Sequence, residues 1–231
     1  PGANSPVPDG STAAAGDPGS EELPQDFDQL YQYLEQYVKD SGNAGSIEVM
    51  ESGDSVVYIR FQDDIFFDSD EYYLRQSAYP VLDVIGDAIH SVEDEIYIIS
   101  INGHTAQVDD PNYAVSDWML SSERASSVAI YFEEEKQIDP QKMRPMGYGK
   151  NYPIASNDTP EGRQKNRRVD IAIVKNSEGV VAGDMEQVLQ SLFDPTSFPT
   201  TGGVSDLFTP EGSVSSSQTE PETAQSSGEG V

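Results

Sequence analysis

A nearly continuous apolar run, Ile96–Ile101, is the feature that most limits what this chain can fold into. Four of its six residues are isoleucine, which is typical of a central strand that is covered on at least one face. Apolar residues at helical spacing precede the run between Ala78 and Ile89 and follow it between Ala125 and Phe132. A strand placed between two amphipathic helices predicts an α/β (α+β) fold, in which helices cover a sheet.

The other segments extend this alternation of strands and helices. A lead-in helix is predicted over residues 25–46, because the apolar residues from Phe27 to Val38 follow helical spacing. Three further strands are predicted over residues 55–61, 142–148 and 169–173. In the last one, apolar residues alternate with Asp170 and Ala172, which indicates a half-buried strand. After the lead-in helix the predicted order is β-α-β-α-β-β, a two-layer sandwich in which two helices cover a mixed four-stranded sheet.

The two ends of the chain differ in composition from its middle. Residues 1–24 are rich in Pro, Gly, Ser, Ala and acid, and predict a disordered linker. Residues 47–175 form the predicted main domain. Residues 176–195 predict a linker with a short amphipathic helix at Met185–Phe193, and residues 196–231 predict a disordered acidic tail of Ser, Thr and Gly.

The charge and the residue types exclude several classes of function. The chain has 41 acidic and 13 basic residues, a formal net charge of -28, which excludes general affinity for nucleic acid because phosphate binding needs a basic face. Cysteine is absent, so disulfides and thiolate metal sites are impossible. The sequence contains no apolar run of about 18 residues or more. We expect a membrane anchor, where the protein has one, to precede Pro1.

A loop follows the strongest predicted strand, at a sheet edge where ligands often bind. Its His104 could be a metal ligand, but the only other histidine is His90 and the two have no spacing that pairs them on one helix face. We therefore interpret His104 as a loop residue held by its neighbours. Asp109 and Asp110 follow closely and are typical of turns and solvated acids. The sequence predicts neither a metal nor a cofactor.

Arg124 stands in an early turn of the helix whose apolar stripe begins at Ala125. A cation gains nothing from the dipole at a helix N-terminus, and the arginine fork binds carboxylates bidentately. Two interpretations follow, a carboxylate-binding site or a surface ion pair of little energetic value. Four basic residues also fall within six positions, Arg163–Arg168, which indicates a local binding patch or a charge-balancing loop.

Five short motifs, taken in order, resemble the signatures of the OmpA-like peptidoglycan-binding domain. They are Phe66-Phe67-Asp68-Ser69, Gly103-His104-Thr105, Leu120-Ser121 with Arg124-Ala125, Gly147-Tyr148-Gly149, and Asn166-Arg167-Arg168. Residues 116–121 and 153–168 are further similar to the flagellar stator family MotB, whose sequences read SNWELS and PxxxNDTxEGRxxNRR there. The lead-in helix and the preceding linker also suit that family.

The resemblance implies non-covalent binding of peptidoglycan. In the family, an Arg of the LSxxRA motif and an Asp after the GHT motif clasp the diamino acid of the wall stem peptide, the Arg by its carboxylate and the Asp by its ammonium. Arg124 matches that Arg, and Arg168 or its neighbour Arg167 matches a second family Arg. His104 and Thr105 belong to the GHT motif and complete the expected ligand loop.

The family Asp has no counterpart here, because its position holds Ala106. We expect a nearby acid to take the ammonium group in its place. The candidates are Asp109 and Asp110 first, and then Asp117 or Asp68. Two alternatives stay open at this position: a wall with chemically modified stem peptides, and weak binding that is offset by several attached domains.

The resemblance also implies a role for the whole protein. A stator protein of this family is anchored in the cytoplasmic membrane, works as a homodimer with a MotA-like subunit, and holds the wall from the extracytoplasmic side. An OmpA-like wall tether unrelated to motility is the alternative within the binding class. A wall hydrolase is a third interpretation, but HExxH, GxSxG and a cysteine nucleophile are all absent from the sequence. We therefore expect a binding protein and not an enzyme.

Overall fold

The computed structural model describes residues 22–52, 55–108, 112 and 114–176. The predicted linker at 1–24 lies almost wholly outside these residues. The predicted helix at Met185–Phe193 and the acidic tail at 196–231 lie entirely outside them, as do Asp109 and Asp110.

Nine helices and strands make up the described part of the chain, together with four short 3-10 turns. They are α1 (Phe27–Asp40), β1 (Ile47–Ser52), β2 (Val56–Gln62), α2 (Tyr79–Ser91), β3 (Ile96–His104), α3 (Asp117–Glu134), β4 (Met143–Gly147), α4 (Pro160–Asn166) and β5 (Arg168–Lys175). Side-chain caps fix where several helices begin. Asp26 accepts from the backbone N–H of Gln29 before α1, and Thr159 accepts from Gly162 before α4.

The strands form one mixed five-stranded sheet in the order β1-β2-β5-β3-β4. The last strand, β5, lies in the centre and is antiparallel to both β2 and β3, and β4 runs parallel to β3 at the edge. The α/β class and the mixed sheet are confirmed, but the predicted number of four strands is wrong. The missing strand is β1, whose three apolar residues lie on both faces of the sheet. Ile47 and Val49 pack in the main core and Met50 belongs to the cluster on the opposite face, so the alternation is only two residues long.

Three helices, α1, α2 and α3, supply the main core on one face of the sheet. Their apolar stripes pack against the same-face residues of the central strands, such as Ile59, Ile99 and Ile171, all of which are fully buried. The helix α1 contacts both β1 and α2, so the lead-in helix is part of the fold. The spacing predicted two covering helices, and α1 is the third.

The other face of the sheet has two zones. One is a small apolar cluster that includes Tyr58, Ile98 and Val174. The other is polar and contains Asn102 and Asp170, which are 2% and 0% exposed. The prediction that β5 is half buried is therefore wrong: every residue from Arg168 to Val174 is buried, because β5 is the central strand.

Candidate functional site

The ends of three neighbouring strands meet at one edge of the sheet. The chain leaves β2 before Asp63 and enters β5 after Arg167, and the backbone N–H of Asp63 donates to the carbonyl of Arg167 at 3.1 Å. On the other side of β5, the last paired residues of β3 and β5 are His104 and Arg168. Thr105 is the next residue beyond that pair, so this edge gathers most of the predicted site residues.

Arg124 reaches this edge from α3 and is buried, with 2% of its surface exposed. Its Nη1 donates to Asp63 Oδ2 at 2.8 Å, its Nε to the carbonyl of Glu71 at 2.9 Å and its Nη2 to the carbonyl of Asp68 at 3.2 Å. Its guanidinium also lies over the Phe67 ring, 5.0 Å from the centroid. The surface ion pair is therefore excluded: Arg124 is a buried side chain that fixes the segment 68–71.

Arg167 is the exposed cation of the same group. Its side chain is 41% exposed, and its Nε lies 3.8 Å from Asp63 Oδ1. Asp63 thus lies between two arginines, one buried and one open to solvent; Asp63, Arg124 and Arg167 are called the arginine rim below. Burial raises the pKa of the Asp63 carboxyl, and the charges of Arg124 and Arg167 act against that rise.

Arg168 does not join the arginine rim. Successive residues of a strand point to opposite faces, and Arg168 lies on the face away from the helices. Its Nε donates to Asp170 Oδ2 at 2.8 Å, and Arg60 donates to Asp170 Oδ1 at 2.9 Å. Arg168 and Asp170 are buried, with side chains 1% and 0% exposed. Of the two arginines proposed for one role, Arg167 is the accessible one and Arg168 belongs to a buried ion cluster.

His104 belongs to that buried cluster as well. Its Nε2 lies 3.7 Å from Asp170 Oδ2, its ring stacks on Tyr148 with centroids 5.1 Å apart, and its buried Nδ1 has no hydrogen-bond partner. Burial, with a smaller contribution from Arg168, lowers the pKa of His104 from 6.5 to about 3, so its ring is neutral. Within the described ranges, no three His, Asp or Glu side chains lie together as a metal site would need.

Thr105 is buried and holds the loop that follows β3 in place through two hydrogen bonds. Its backbone N–H donates to the carbonyl of Gly149 at 3.0 Å, and its hydroxyl donates to Asp117 Oδ1 at 2.8 Å. Asp117 Oδ2 lies 3.3 Å from Lys150 Nζ, and the Asp117 side chain is 18% exposed. Ala106, the residue at the family Asp position, is buried. Thr105 therefore joins β3 to the start of α3.

Asp68 is the exposed acid beside the arginine rim. Its side chain is 73% exposed and lies 3.5 Å from Arg75 Nε, while its backbone carbonyl accepts from Arg124. The structure thus brings together Arg124, Arg167 and Asp68. Asp63 was missed in the sequence, although two consecutive acids, Asp63 and Asp64, one residue beyond a predicted strand could have pointed to it.

The basic segment before β5 is tied to its own loop. Asn166 Oδ1 accepts from the backbone N–H groups of Ile154 and Ala155, and its Nδ2 donates to Asn157 Oδ1 at 2.9 Å. Arg163 donates to the carbonyl of Asn157 at 2.6 Å. These bonds hold the segment in the shape that exposes Arg167.

The comparison with family models identifies this region. Residues 66–167, which include α2, β3, α3, β4 and α4, match the OmpA family model. The matched segment, called the OmpA domain below, holds Arg124, Arg167, Thr105 and Asp68.

Relatives and solved structures agree with that assignment. Motility protein B of Bacillus subtilis is 30% identical over 151 residues, which are 65% of this chain and 57% of that protein. Peptidoglycan-binding protein ArfA of Mycobacterium tuberculosis is 34% identical over 109 residues, 47% of this chain and 32% of that protein. A solved MotB-like protein of Desulfovibrio vulgaris has a TM-score of 0.57 at 25% identity, covering 67% of this chain and 94% of that chain.

The chain spans less than two thirds of the length of both relatives. None of the helices in the described ranges combines the length and the apolar character that crossing a membrane requires.

Proposed function

We propose that the OmpA domain of this chain binds peptidoglycan non-covalently at the arginine rim and does not cleave it. The observation that carries the proposal is the placement of Arg167, an exposed guanidinium beside the buried pair of Asp63 and Arg124. The match to the OmpA family and the peptidoglycan-binding relative support this class of ligand.

The arginine rim offers a carboxylate ligand a fixed cation. The 3.8 Å between Arg167 Nε and Asp63 Oδ1 is longer than a hydrogen bond, so an incoming carboxylate does not have to break one there. Arg124 already donates to Asp63 and to two backbone carbonyls. We assign direct contact with the stem-peptide carboxylate to Arg167, and to Arg124 the positioning of Asp63 and of segment 68–71.

The ammonium group of the diamino acid requires an acid on the same edge. Asp68 is our first candidate among the described residues, because its carboxylate is exposed and its backbone is held by Arg124. Asp117 is already shared by Thr105 and Lys150. Asp109 and Asp110 remain proposed contacts by their closeness to Ala106 in the sequence.

For the whole protein we propose the anchor of a flagellar stator, supported by the likeness to motility protein B and to a MotB-like structure. In that role the OmpA domain lies outside the cytoplasm, on a homodimer that is held in the cytoplasmic membrane and assembled with a MotA-like subunit. A wall tether outside motility is the second candidate, supported by the likeness to ArfA. Restored swimming of a stator-deletion strain by the full-length protein is expected for the stator anchor and not for the tether.

Cosedimentation with peptidoglycan sacculi that contain diaminopimelate tests the binding. We expect the chain to pellet with the sacculi and to release no soluble muropeptide. Arg167→Ala should weaken binding by about ten- to a hundred-fold, since a charged hydrogen bond is worth roughly 1.5–3 kcal/mol. Arg144→Ala, which removes an exposed arginine from the edge strand β4, is the matched control. Recovery of the wild-type chain in the supernatant would overturn the proposal.

A further inference from the structure

One face of the sheet is buried although α1, α2 and α3 all pack on the other face. Its apolar part consists of six strand residues, which are called the back-face cluster below: Met50, Val56, Tyr58, Ile98, Ala172 and Val174. Strand pairing places them side by side in two rows, with Tyr58 opposite both Met50 and Ala172, and Val174 opposite both Val56 and Ile98. None of the six is more than 9% exposed, and Tyr58, the largest, is 1% exposed.

Burial of this degree requires a second layer over the back-face cluster. A single sheet leaves the outward side of its side chains open to water, so an apolar sheet face is buried only against another element. Within the described residues, no helix residue belongs to the cluster. Tyr148 and Tyr152 contact His104 and Arg168, which lie at the opposite end of the strands. The cover of the back-face cluster therefore comes from a part of the chain outside the described ranges.

The composition of the two ends of the chain favours one of them as the cover. In residues 1–21, Val7 is the only residue among Val, Leu, Ile, Met and the aromatics, and this end leads into α1 on the other face. Residues 177–231 follow β5, whose Val174 is itself a member of the cluster. They contain an apolar stripe at helical spacing, formed by Met185, Val188, Leu189, Leu192 and Phe193.

Residues 185–193, called the C-terminal segment below, fit the back-face cluster in reach, length and charge. Residues 176–184 connect it to β5, and a chain of that length reaches up to about 30 Å. A helix over residues 185–193 would be about 13 Å long, and the four strands of the cluster span about 14 Å. Lysine and arginine are absent from residues 176–231, so the C-terminal segment adds no repulsion to Arg60 and Arg168 on the same face.

We propose that the C-terminal segment forms a helix that docks on the back-face cluster and buries it. The helix is part of the proposal, because these residues lie outside the described ranges. Asp184 precedes the apolar stripe and can cap the helix, and Pro195 follows it and favours its end. The stripe then packs against the cluster while Gln187 and Gln190 face the solvent. The sheet would lie between two layers of helices, an arrangement that does not depend on peptidoglycan binding.

Oxidation of methionines by hydrogen peroxide, followed by mass spectrometry of the peptides, tests the proposal on the full chain. Met50 belongs to the back-face cluster, Met143 belongs to the main core, and Met119 is 63% exposed. In the wild-type chain we expect fast oxidation of Met119 and slow oxidation of the other two. Leu189→Asp with Leu192→Asp should accelerate the oxidation of Met50 about tenfold or more and leave Met143 protected, because carboxylates are too costly to bury in an apolar contact.

Gln187→Asp with Gln190→Asp is the matched control, since it adds the same charge to the opposite side of the C-terminal segment. It should leave Met50 protected, and so should a chain that ends at Pro199. Continued protection of Met50 in the chain with Leu189→Asp and Leu192→Asp would overturn the proposal. Exposure of Met50 by the loss of residues 200–231 would assign the cover to those residues and would overturn it too.

Cysteine pairs provide a second test, which decides the question if the two aspartates unfold the domain and Met143 reacts as well. Because the chain has no native cysteine, Met50→Cys can be combined with substitution by cysteine at each position from 185 to 193 in turn. We expect disulfides within single chains at positions of the apolar stripe and not at Gln187 or Gln190, which would point away. Disulfides at every position, at none, or mainly between two chains would overturn the proposal, and the last result would identify a second copy as the cover.

Discussion

Arg124 Nη1 donates to Asp63 Oδ2 at 2.8 Å, and the two side chains are 2% and 9% exposed. The pair joins α3 to the segment that follows β2, and its two residues are 61 positions apart in the chain. A buried pair of this kind gives little net stability compared with an apolar replacement, but removing one partner leaves an uncompensated charge. Arg124 thus keeps Asp63 and segment 68–71 in the geometry that the arginine rim requires.

Arg124→Ala should lower the free energy of unfolding by about 3–5 kcal/mol, because it leaves Asp63 buried without its main partner. Arg75→Ala removes an arginine whose side chain is 41% exposed and pairs with Asp68 at the surface, and should cost about 1 kcal/mol or less. Urea denaturation followed by circular dichroism measures both. Equal midpoints for the two variants would contradict the structural role of Arg124.

Substitutions of the neighbouring residues Arg167 and Arg168 should differ in their effect on the stability of the domain. Arg167→Ala should keep the melting temperature near that of wild type, because the side chain is 41% exposed. Arg168→Ala should lower the free energy of unfolding by about 3 kcal/mol, because Asp170 is fully buried and would lose one of its two arginine partners. Calorimetry on the two variants, paired with sacculus binding, decides this. A stable Arg168→Ala that no longer binds the wall would assign the ligand contact to Arg168.

The stability of the domain should fall as the pH falls below about 7. The pKa of His104 is lowered from 6.5 to about 3 in the fold, so between these values the unfolded chain takes up a proton that the folded chain does not. From about pH 7.5 to about pH 5 this amounts to roughly 2 kcal/mol. Burial raises the pKa of the Asp170 carboxyl, but Arg168, Arg60 and His104 together lower it by more. Protonation of Asp170 therefore reduces the stability of the domain only in stronger acid.

His104→Gln should reduce the dependence of stability on pH between about pH 7 and about pH 5, since glutamine does not titrate. His90→Gln is the control, because His90 is exposed at the end of α2. Denaturation midpoints at several pH values measure the slope. The same slope in His104→Gln as in wild type would show that another group is responsible.

Gly103→Ala should be strongly destabilising. A Cβ at Gly103 would lie 2.0 Å from the backbone carbonyl oxygen of Ser121 in α3, so the helix would have to move away from β3. The cost should be about 1–3 kcal/mol or more, as in other overpacked cores. Gly45→Ala is the control, because nothing lies within 4 Å of its added Cβ. Thermal melting compares the two, and a stable Gly103→Ala would show that α3 can shift freely.

Periodicity in the sequence was enough to predict the elements with regular apolar spacing. The run at Ile96–Ile101 is part of β3, and the stripe that begins at Ala125 lies on α3. The edge strand β1 was missed because its buried residues, Ile47 and Met50, are three positions apart. The third apolar residue, Val49, directly precedes Met50, so the alternation of Ile47 and Val49 is too short to stand out.

The burial of β5 and the partners of the site residues could not be predicted in the same way. Asp170 is polar, and only the approach of Arg60 and Arg168 in the folded sheet makes its burial tolerable. The placement of Arg124 at the edge of the apolar stripe was visible in the sequence. Its partner Asp63 was not, because the pairing depends on how β2 and α3 meet in three dimensions.

The central position of β5 affects how the domain is made on the ribosome. Synthesis delivers β2 and β3 long before Arg168–Lys175, yet the sheet order places β5 between those two strands. Until the last of these residues leaves the exit tunnel, both inner strands keep an open hydrogen-bonding edge, which is a template for pairing with other chains. A nascent chain that stalls before residue 168 therefore depends on chaperones to keep those two strand edges from pairing with other chains.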